Sequence, residues 1–416
     1  MRERTETGVP EAGVPLAEID LSSHDAFVER VPHEWFRTLR REAPVFFNPE
    51  PDGPGFYAVT RYDDIRAVHK DFATYSSEVG GTSLEDLEPD QIEARKSMID
   101  TDPPRHKELR GLIARRFTSR SVKVWEEAVR TVAKRVLHEA LPKGEMDFVE
   151  EISSEIPMQV FAEILGVPHE DRRLIVDMGD RILGNADPEF AADSHDETHR
   201  LLPFSSPVSL EMFEFGRRLA DARRKNPTGD IISLLVSENL TQREFDVYFV
   251  LLATAGNETT RHTITHGLLA LLEYPDEMER LRRDPTLFAP AAEEMLRWAT
   301  AVHYFRRTTT RDTTLAGTEI PKGAKVATWL ASGNRDEAVF ENPDTFDVGR
   351  DPNRHMAFGP GGIHHCLGAH LARMEVRVVF EELLARVGNI ELTGPPERLR
   401  SNFFNGIKRL PVRVKP

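Results

Sequence analysis

Thr241 is followed three residues later by Glu244, and the next proline is Pro275. The first pair is the signature of a capping box and the proline is a stop, so residues 242–274 are expected to form one helix. At about 1.5 Å per residue it would be on the order of 50 Å long. A segment of that length must cross the whole molecule, and the rest of the chain has to pack around it. Its ends are apolar over much of their surface, through Phe249, Val250, Leu251 and Leu252 and later Leu268, Leu269, Leu271 and Leu272, as a buried central helix requires. Its middle is not. Ala255-Gly256-Asn257-Glu258-Thr259-Thr260 sets a glycine beside polar and β-branched residues, where each weakens a buried helix. Lapses of this kind often mark functional sites. A threonine hydroxyl there can bond back to a carbonyl one turn earlier and leave space for water or a small polar ligand. The plain alternative is a polar patch facing other polar helices, its carboxylate paired with an arginine.

Around this element, residues 32–42 read as a short helix, Gly55 to Tyr62 as a strand or hairpin arm, and helical patterns dominate from about residue 104. Short β-like pieces return between 312 and 330, around Gly317 and the Pro321-Lys322-Gly323 turn. Residues 367–387 carry an apolar helical stripe through Leu371, Met374, Val378 and Leu384. The fold class expected is mainly α with minor β. No Gly/Ser-rich linker, repeat or low-complexity block interrupts the chain after residue 20, so the expected organisation is a flexible segment over 1–20 and a single large domain over 21–416. The stretch Met1 to Leu21 lacks the apolar core of a signal peptide or membrane anchor, and the longest apolar runs, such as Tyr248 to Ala255, fall well short of the roughly 18 residues a bilayer crossing takes. A soluble, cytoplasmic protein without a membrane anchor is expected. The formal net charge of −15 argues against nucleic acid as a partner. Arg115, Arg116 and Arg120 form a small basic cluster within this acidic chain, which composition alone reads as a solvated helix face.

Cys366 is the only cysteine, which excludes an intrachain disulfide and a multi-cysteine zinc site. It ends the loop Phe358-Gly359-Pro360-Gly361-Gly362-Ile363-His364-His365-Cys366 and opens the helical stripe that follows. Three glycines allow backbone amides to approach something closely, and a cysteine at a helix N-terminus feels the positive end of the dipole, which favours thiolate. An inert buried cysteine, a catalytic nucleophile and a metal ligand all remain open at this point. Zinc is disfavoured without a second cysteine, although His364 and His365 are conceivable partners.

Taken together these segments resemble the cytochrome P450 family, from about Trp35 to Val414. The resemblance implies one domain with heme b (iron protoporphyrin IX) between the long central helix and the helix following Cys366. Cys366 matches the thiolate that ligates the iron, Phe358 the aromatic shield, and Gly362, His364 and Gly368 the flanking positions. One extra residue separates Phe358 from Cys366 relative to the commonest form, a spacing shared with bacterial steroid and branched-lipid hydroxylases. Glu258 and Thr259 match the acid and alcohol pair, with Glu in place of the more frequent Asp, and Gly256 matches the small kink residue. Such a pair can organise proton delivery into an otherwise dry pocket. Glu294-Met295-Leu296-Arg297 matches the structural E-x-x-R motif, whose ends share a helix face. The arginine that usually completes that network is missing from Pro343-Asp344-Thr345-Phe346, and Arg350 is the expected substitute. His106 and Arg110, one turn apart, with Arg307 and His355, match the groups that hold the heme propionates.

The resemblance further implies a monooxygenase using O2 and two electrons from a ferredoxin and its ferredoxin reductase, docking near Arg115, Arg116, Arg373 and Arg377. Its pocket would draw on residues 78–100 and 180–215, on Leu252 and Ala255, on His303 to Phe305, and on Phe403 and Phe404. These are largely apolar or aromatic, so an apolar small molecule is expected, with a sterol, terpenoid or branched-chain lipid favoured over an aromatic or polyketide-type secondary metabolite. Two other classes stand beside this one. A heme-thiolate protein that only binds a ligand has no need of Glu258 and Thr259, and a cysteine-nucleophile hydrolase needs a base near Cys366.

Overall fold

A computed structural model describes residues 13–191 and 197–415. The central helix runs over Gln242–Glu273. Thr241 Oγ1 accepts from the Glu244 amide at 3.2 Å and Glu244 Oε2 accepts from the Thr241 amide at 2.9 Å, so the capping box starts the helix as expected. It ends at Tyr274, because Pro275 cannot continue it and instead opens the next helix, Pro275–Arg283. Helices Glu155–Leu165, Arg172–Leu183, Val208–Lys225, Phe288–Ala299 and Ala369–Leu384 pack around it. Apolar residues at its ends, among them Phe249, Val250, Leu268 and Leu271, are fully enclosed in the main core. That core also takes in Val376, Val379 and Phe380 from the helix after Cys366.

The short elements fall close to where the sequence put them: helix His33–Glu42, strand Phe56–Val59, helix Arg105–Ile113, the hairpin Thr313–Leu315 with Thr318–Ile320, and strand Lys325–Trp329. A five-stranded sheet has the order 45–48, 56–59, 325–329, 304–309, 75–76. Its one parallel pair joins Phe56 to Lys325 and Val59 to Thr328, which ties the N-terminal segment to the chain's second half. The minor sheet and the helical body therefore form a single domain. No helix of the described residues is long and apolar enough to cross a membrane. Of the segment 1–20, residues 1–12 lie outside the described residues. Residues 13–20 are folded: Leu16–Glu18 makes one turn, Val14 and Leu16 pack on the smaller core around Phe27, Phe36 and Trp329, and Ile19 is buried.

The E-x-x-R pair is sealed. Arg297 donates to both oxygens of Glu294 at 2.7 Å, and both side chains are fully buried. Arg350 Nε donates to Glu294 Oε2 at 3.1 Å and so supplies the third member that Thr345 cannot; Thr345 contributes only its carbonyl, to Arg297 and Arg350. Arg297 also holds the carbonyls of Asn334 and Pro343 at 2.8 and 2.9 Å. Asn334 Oδ1 in turn accepts from the Met356 amide at 2.7 Å, so the network fixes the chain that leads into the glycine loop.

Candidate active site

The loop before Cys366 takes its shape from its glycines. Gly359, Gly361 and Gly362 have φ of +86°, +103° and +85°, a region that disfavours any side chain. At Gly362 space forbids one too, since a Cβ there would lie 2.2 Å from the His69 carbonyl oxygen. The turn closes when the Cys366 amide donates to the Phe358 carbonyl at 2.8 Å. Phe358 lies beside the rings of His355 and His365, with the Arg373 guanidinium 4.5 Å from its centre. Gly368 caps the helix Ala369–Leu384. Cys366 is exposed, although the segments around it are dense. Burial in that surrounding protein pushes the thiol up, and the amides of Gly368 and Ala369 with Arg110 and Arg373 pull the other way without prevailing. The helix terminus and the two arginines favour the thiolate, and a metal cation at the sulfur would favour it further. Among the described residues no base is hydrogen-bonded to Sγ, which leaves the hydrolase reading without its activating partner.

His106 and His364 bring their rings to 4.3 Å, and Nε2 of each is buried without a partner. Burial, then Arg307, His106 and Arg110, hold His364 down at about 2, so it stands neutral. Arg307, on strand Tyr304–Thr309, is buried and donates to the Arg306 carbonyl at 2.7 Å. Desolvation lowers its guanidinium to about 10. Arg110 donates to the His365 carbonyl at 2.7 Å, and among the described residues neither Arg110 nor Arg307 has an ion pair. Asp100 and Asp102 stand near enough to act on Arg307, but neither pairs with it, and cations and orphaned ring nitrogens gathered without an ion pair suit a bound anion. The two propionates of a heme supply that charge, and the exposed sulfur meets the need of its iron, so the residues fit the group. His355 is placed differently. Its Nε2 bonds Glu293 at 2.8 Å and its Nδ1 accepts from the Ala357 amide at 3.3 Å, which leaves no ring nitrogen for a propionate. Glu293 also holds Arg373, so the trio braces the loop from behind.

In the middle of the central helix Ala255 is exposed while Ala253, Thr254, Asn257 and Glu258 around it are buried, so one face of the helix is left uncovered there. Thr259, half-buried beside it, donates to the Ala255 carbonyl at 3.0 Å, the back-bond its position suggested. The helix passes through Gly256 without a break, and the missing side chain admits Phe161, whose ring would lie 2.5 Å from a Cβ. Glu258 is turned elsewhere: it is buried, meets Arg261, and accepts from Asn257 Nδ2 at 3.0 Å. Arg261 binds Asp180 as well, at 2.5 and 3.0 Å. Burial raises the Glu258 carboxyl well above the usual range, Arg261 opposes this, and Asp180 adds to it. The Glu258–Arg261 spacing was legible as an i, i+3 pair; Asp180, on another helix, was not.

Leu252 lies buried one turn before Ala255. Phe305, Phe403 and Phe404 form an aromatic group, with Phe403 edge-on to Phe305 at 6.0 Å and to Phe404 at 4.6 Å. The His303 amide donates to the Phe403 carbonyl at 2.8 Å, while its ring is buried against Phe27 at 5.0 Å. Of segments 78–100 and 180–215, residues 192–196 lie outside the described residues. The two segments meet where Arg95 Nε and Gln91 Nε2 both donate to the Arg200 carbonyl, at 2.9 and 3.1 Å.

Comparison with known proteins agrees with this geometry. The family model described as Cytochrome P450 matches residues 25–402. A methyl-branched lipid omega-hydroxylase of Mycobacterium tuberculosis is 41% identical, over 97% of this chain and 96% of its own length. A steroid C26-monooxygenase of Rhodococcus jostii is 36% identical, over 99% and 87%. Among solved structures, a Mycobacterium marinum cytochrome P450 in complex with pseudoionone superposes with a TM-score of 0.88 at 37% identity, covering 97% of this chain and 100% of that one. With the family matched over nearly the whole chain, and with a cysteine and a set of unpaired cations suited to heme, this chain belongs to the cytochrome P450 family and is a monooxygenase.

Proposed function

We propose that the protein binds heme b and hydroxylates an apolar small molecule with a branched aliphatic portion, a methyl-branched lipid or the side chain of a steroid. The observation that carries the cofactor reading is the cluster of His106, Arg110, Arg307 and His364, whose unsatisfied groups suit two propionates. Heme, when bound, supplies an iron centre that activates O2 with two electrons. The chain's own part is to hold Cys366 at the head of its helix, to keep water out with an apolar wall, and to bring a proton to the Thr259 side of the central helix. Leu252, Ala255, Phe305, Phe403 and Phe404 supply that wall, with no charged group among them to fix a polar substrate. The named activities of the methyl-branched lipid and steroid relatives support the same class.

Electrons come from a redox partner, which we take to be a ferredoxin served by its reductase. Of the four arginines expected at the docking face, Arg373 pairs with Glu293, and Arg377 with Glu126 and Glu381, at 2.7 Å each. Arg115 and Arg116 have no ion pair among the described residues, and the neighbouring Arg120, Lys123 and Val124 are exposed. The docking surface is therefore assigned to residues 115–124.

The test is a ferrous carbon monoxide spectrum, followed by binding spectra and turnover with NAD(P)H, ferredoxin and reductase on a panel of methyl-branched lipids, steroids and terpenes. A thiolate-type spectrum, with a spectral shift and hydroxylated product from the first two classes, is expected. Folded protein that takes up no heme would overturn the cofactor reading. Ligand binding without product would leave a ligand-binding protein in its place. Turnover confined to aromatic or polyketide compounds would overturn the substrate class.

A further inference from the structure

Arg261 Nη2 donates to Asp180 Oδ1 at 2.5 Å and to Glu258 Oε2 as well, so two carboxyl groups from different helices adjoin on one nitrogen. Among the described residues the other charged or titratable groups bordering them are His262, whose Nε2 is 3.9 Å from Glu258, and Lys408 across a small cavity; Asp177 stands one turn before Asp180. Lys408 is already engaged by Asp187 and Glu189. His262 is kept neutral by burial and by Arg261. One guanidinium thus faces two carboxyls in a buried setting. Two like charges so close, with one counter-charge, do not both ionise.

The cavity, about 40 Å³, is lined by Asp180, Glu258, Arg261, His262 and Lys408 with Leu399 and Phe404, and exceeds the roughly 10–15 Å³ that a water occupies. Two buried atoms of its lining residues, Arg261 Nε and His262 Nδ1, have no protein partner. The Asp180 side chain is 19% exposed and that of Glu258 is 3%, so the pair has an outer and an inner half. We propose that Asp180 and Glu258 hold a single proton between them, clamped by Arg261, and that Asp180 is the relay residue through which the cavity recharges Glu258. The proton leaves the Glu258 carboxyl toward Thr259 after a side-chain rotation. That leaves two carboxylates on the single Arg261 guanidinium, a state that is unfavourable and therefore short-lived, and one proton from cavity water, entering at Asp180, restores the pair. Each proton delivered inward is matched by one taken from solvent. Why a proton is needed rests on the monooxygenase reading; the shared proton itself does not.

Infrared spectra of the heme-loaded, substrate-free protein at neutral pH, in H2O and D2O, test this. Glu258→Gln should remove one exchangeable protonated-carboxyl band. Asp180→Asn should remove the same band although Glu258 is intact, because a lone carboxylate facing Arg261 ionises. Glu375→Gln is the control, since Glu375 is buried and raised well above the usual range by desolvation, and its loss should delete a different band. A Glu258 band that persists in Asp180→Asn would overturn the proposal, as would a spectrum unchanged by Glu258→Gln. If Asp180→Asn does not fold, Asp180→Ser carries the same prediction. In turnover, Asp180→Asn should enlarge the solvent isotope effect and slow product formation by less than the roughly hundredfold loss expected of a direct proton donor. An unchanged isotope effect would overturn the relay role. A protein without heme would sink the monooxygenase reading while leaving the infrared result standing.

Discussion

Two glycines in one loop separate the causes of glycine's presence. Gly361 and Gly362 both have positive φ, but nothing lies within 4 Å of a Cβ at Gly361, whereas the His69 carbonyl blocks one at Gly362. Gly361→Ala should therefore cost only backbone strain, about 1–2 kcal/mol, while Gly362→Ala must also displace the backbone at the end of helix Tyr62–Lys70 and should lose several times more, with poor heme retention. Thermal unfolding and the heme-to-protein ratio check this; equal losses would mean that the His69 contact is easily relieved. Arg307 makes a prediction of opposite sign in two states. It is a buried cation without an ion pair among the described residues, so Arg307→Met should leave the heme-free protein about as stable or more stable. The same change should speed heme dissociation, because a propionate then loses its counter-charge. If the heme-free protein were instead destabilised by several kcal/mol, Arg307 would have a structural role within the chain itself. The family resemblance could single out Arg307, His106 and His355, but not the Glu293 that bonds His355, because Glu293 is remote along the chain.

At the scale of elements, what could be read was what is local. The ends of the central helix followed from Thr241, Glu244 and Pro275, which act within a turn of themselves. The parallel pairing of Phe56–Val59 with Lys325–Trp329 did not, since a strand carries its own alternation and no record of a partner so distant. The Glu258 side chain shows the same limit: its spacing from Arg261 was visible, and its turn toward Asp180 depended on helix packing. Arg350 is an intermediate case, foreseen as a substitute because a charge was missing at Thr345. Its test compares two arginines on one carboxylate. Arg297→Gln leaves a fully buried Glu294 short of its main partner and should cost about 3–5 kcal/mol. Arg350→Gln leaves Glu294 with Arg297, Asn353 Nδ2 and the Asp347 amide, and should cost about 1–3 kcal/mol. Denaturant unfolding of both variants measures the difference, and equal losses would show that Arg350 carries as much of the network as Arg297.

Over the whole molecule, charge works against association with an acidic partner and in one place works for it. The net charge of −15 repels such a partner at long range, but beyond a Debye length of about 8–10 Å physiological salt screens that repulsion. What remains at contact is the local field, and Arg130, Arg373 and Arg377 have already spent theirs on Glu126, Glu293, Glu381 and Glu382. The stretch 115–124 differs in holding Arg115, Arg116, Arg120 and Lys123 without an ion pair among the described residues, and in the same stretch Val124, 79% exposed, offers an apolar contact. Arg115→Glu with Arg116→Glu should therefore slow reduction by ferredoxin about tenfold or more at low salt and flatten its dependence on ionic strength, the mark of lost electrostatic steering. Val124→Asp should weaken the complex while leaving the salt dependence largely intact, since it removes contact area and adds only one charge. Reversal at Arg373 or Arg377 should do less than reversal at Arg115 and Arg116, because their acids already neutralise them. Stopped-flow reduction rates against salt concentration distinguish the three. A larger effect at Arg373 than at Arg115 and Arg116 would move the docking surface off this stretch and onto the helix that begins behind Cys366.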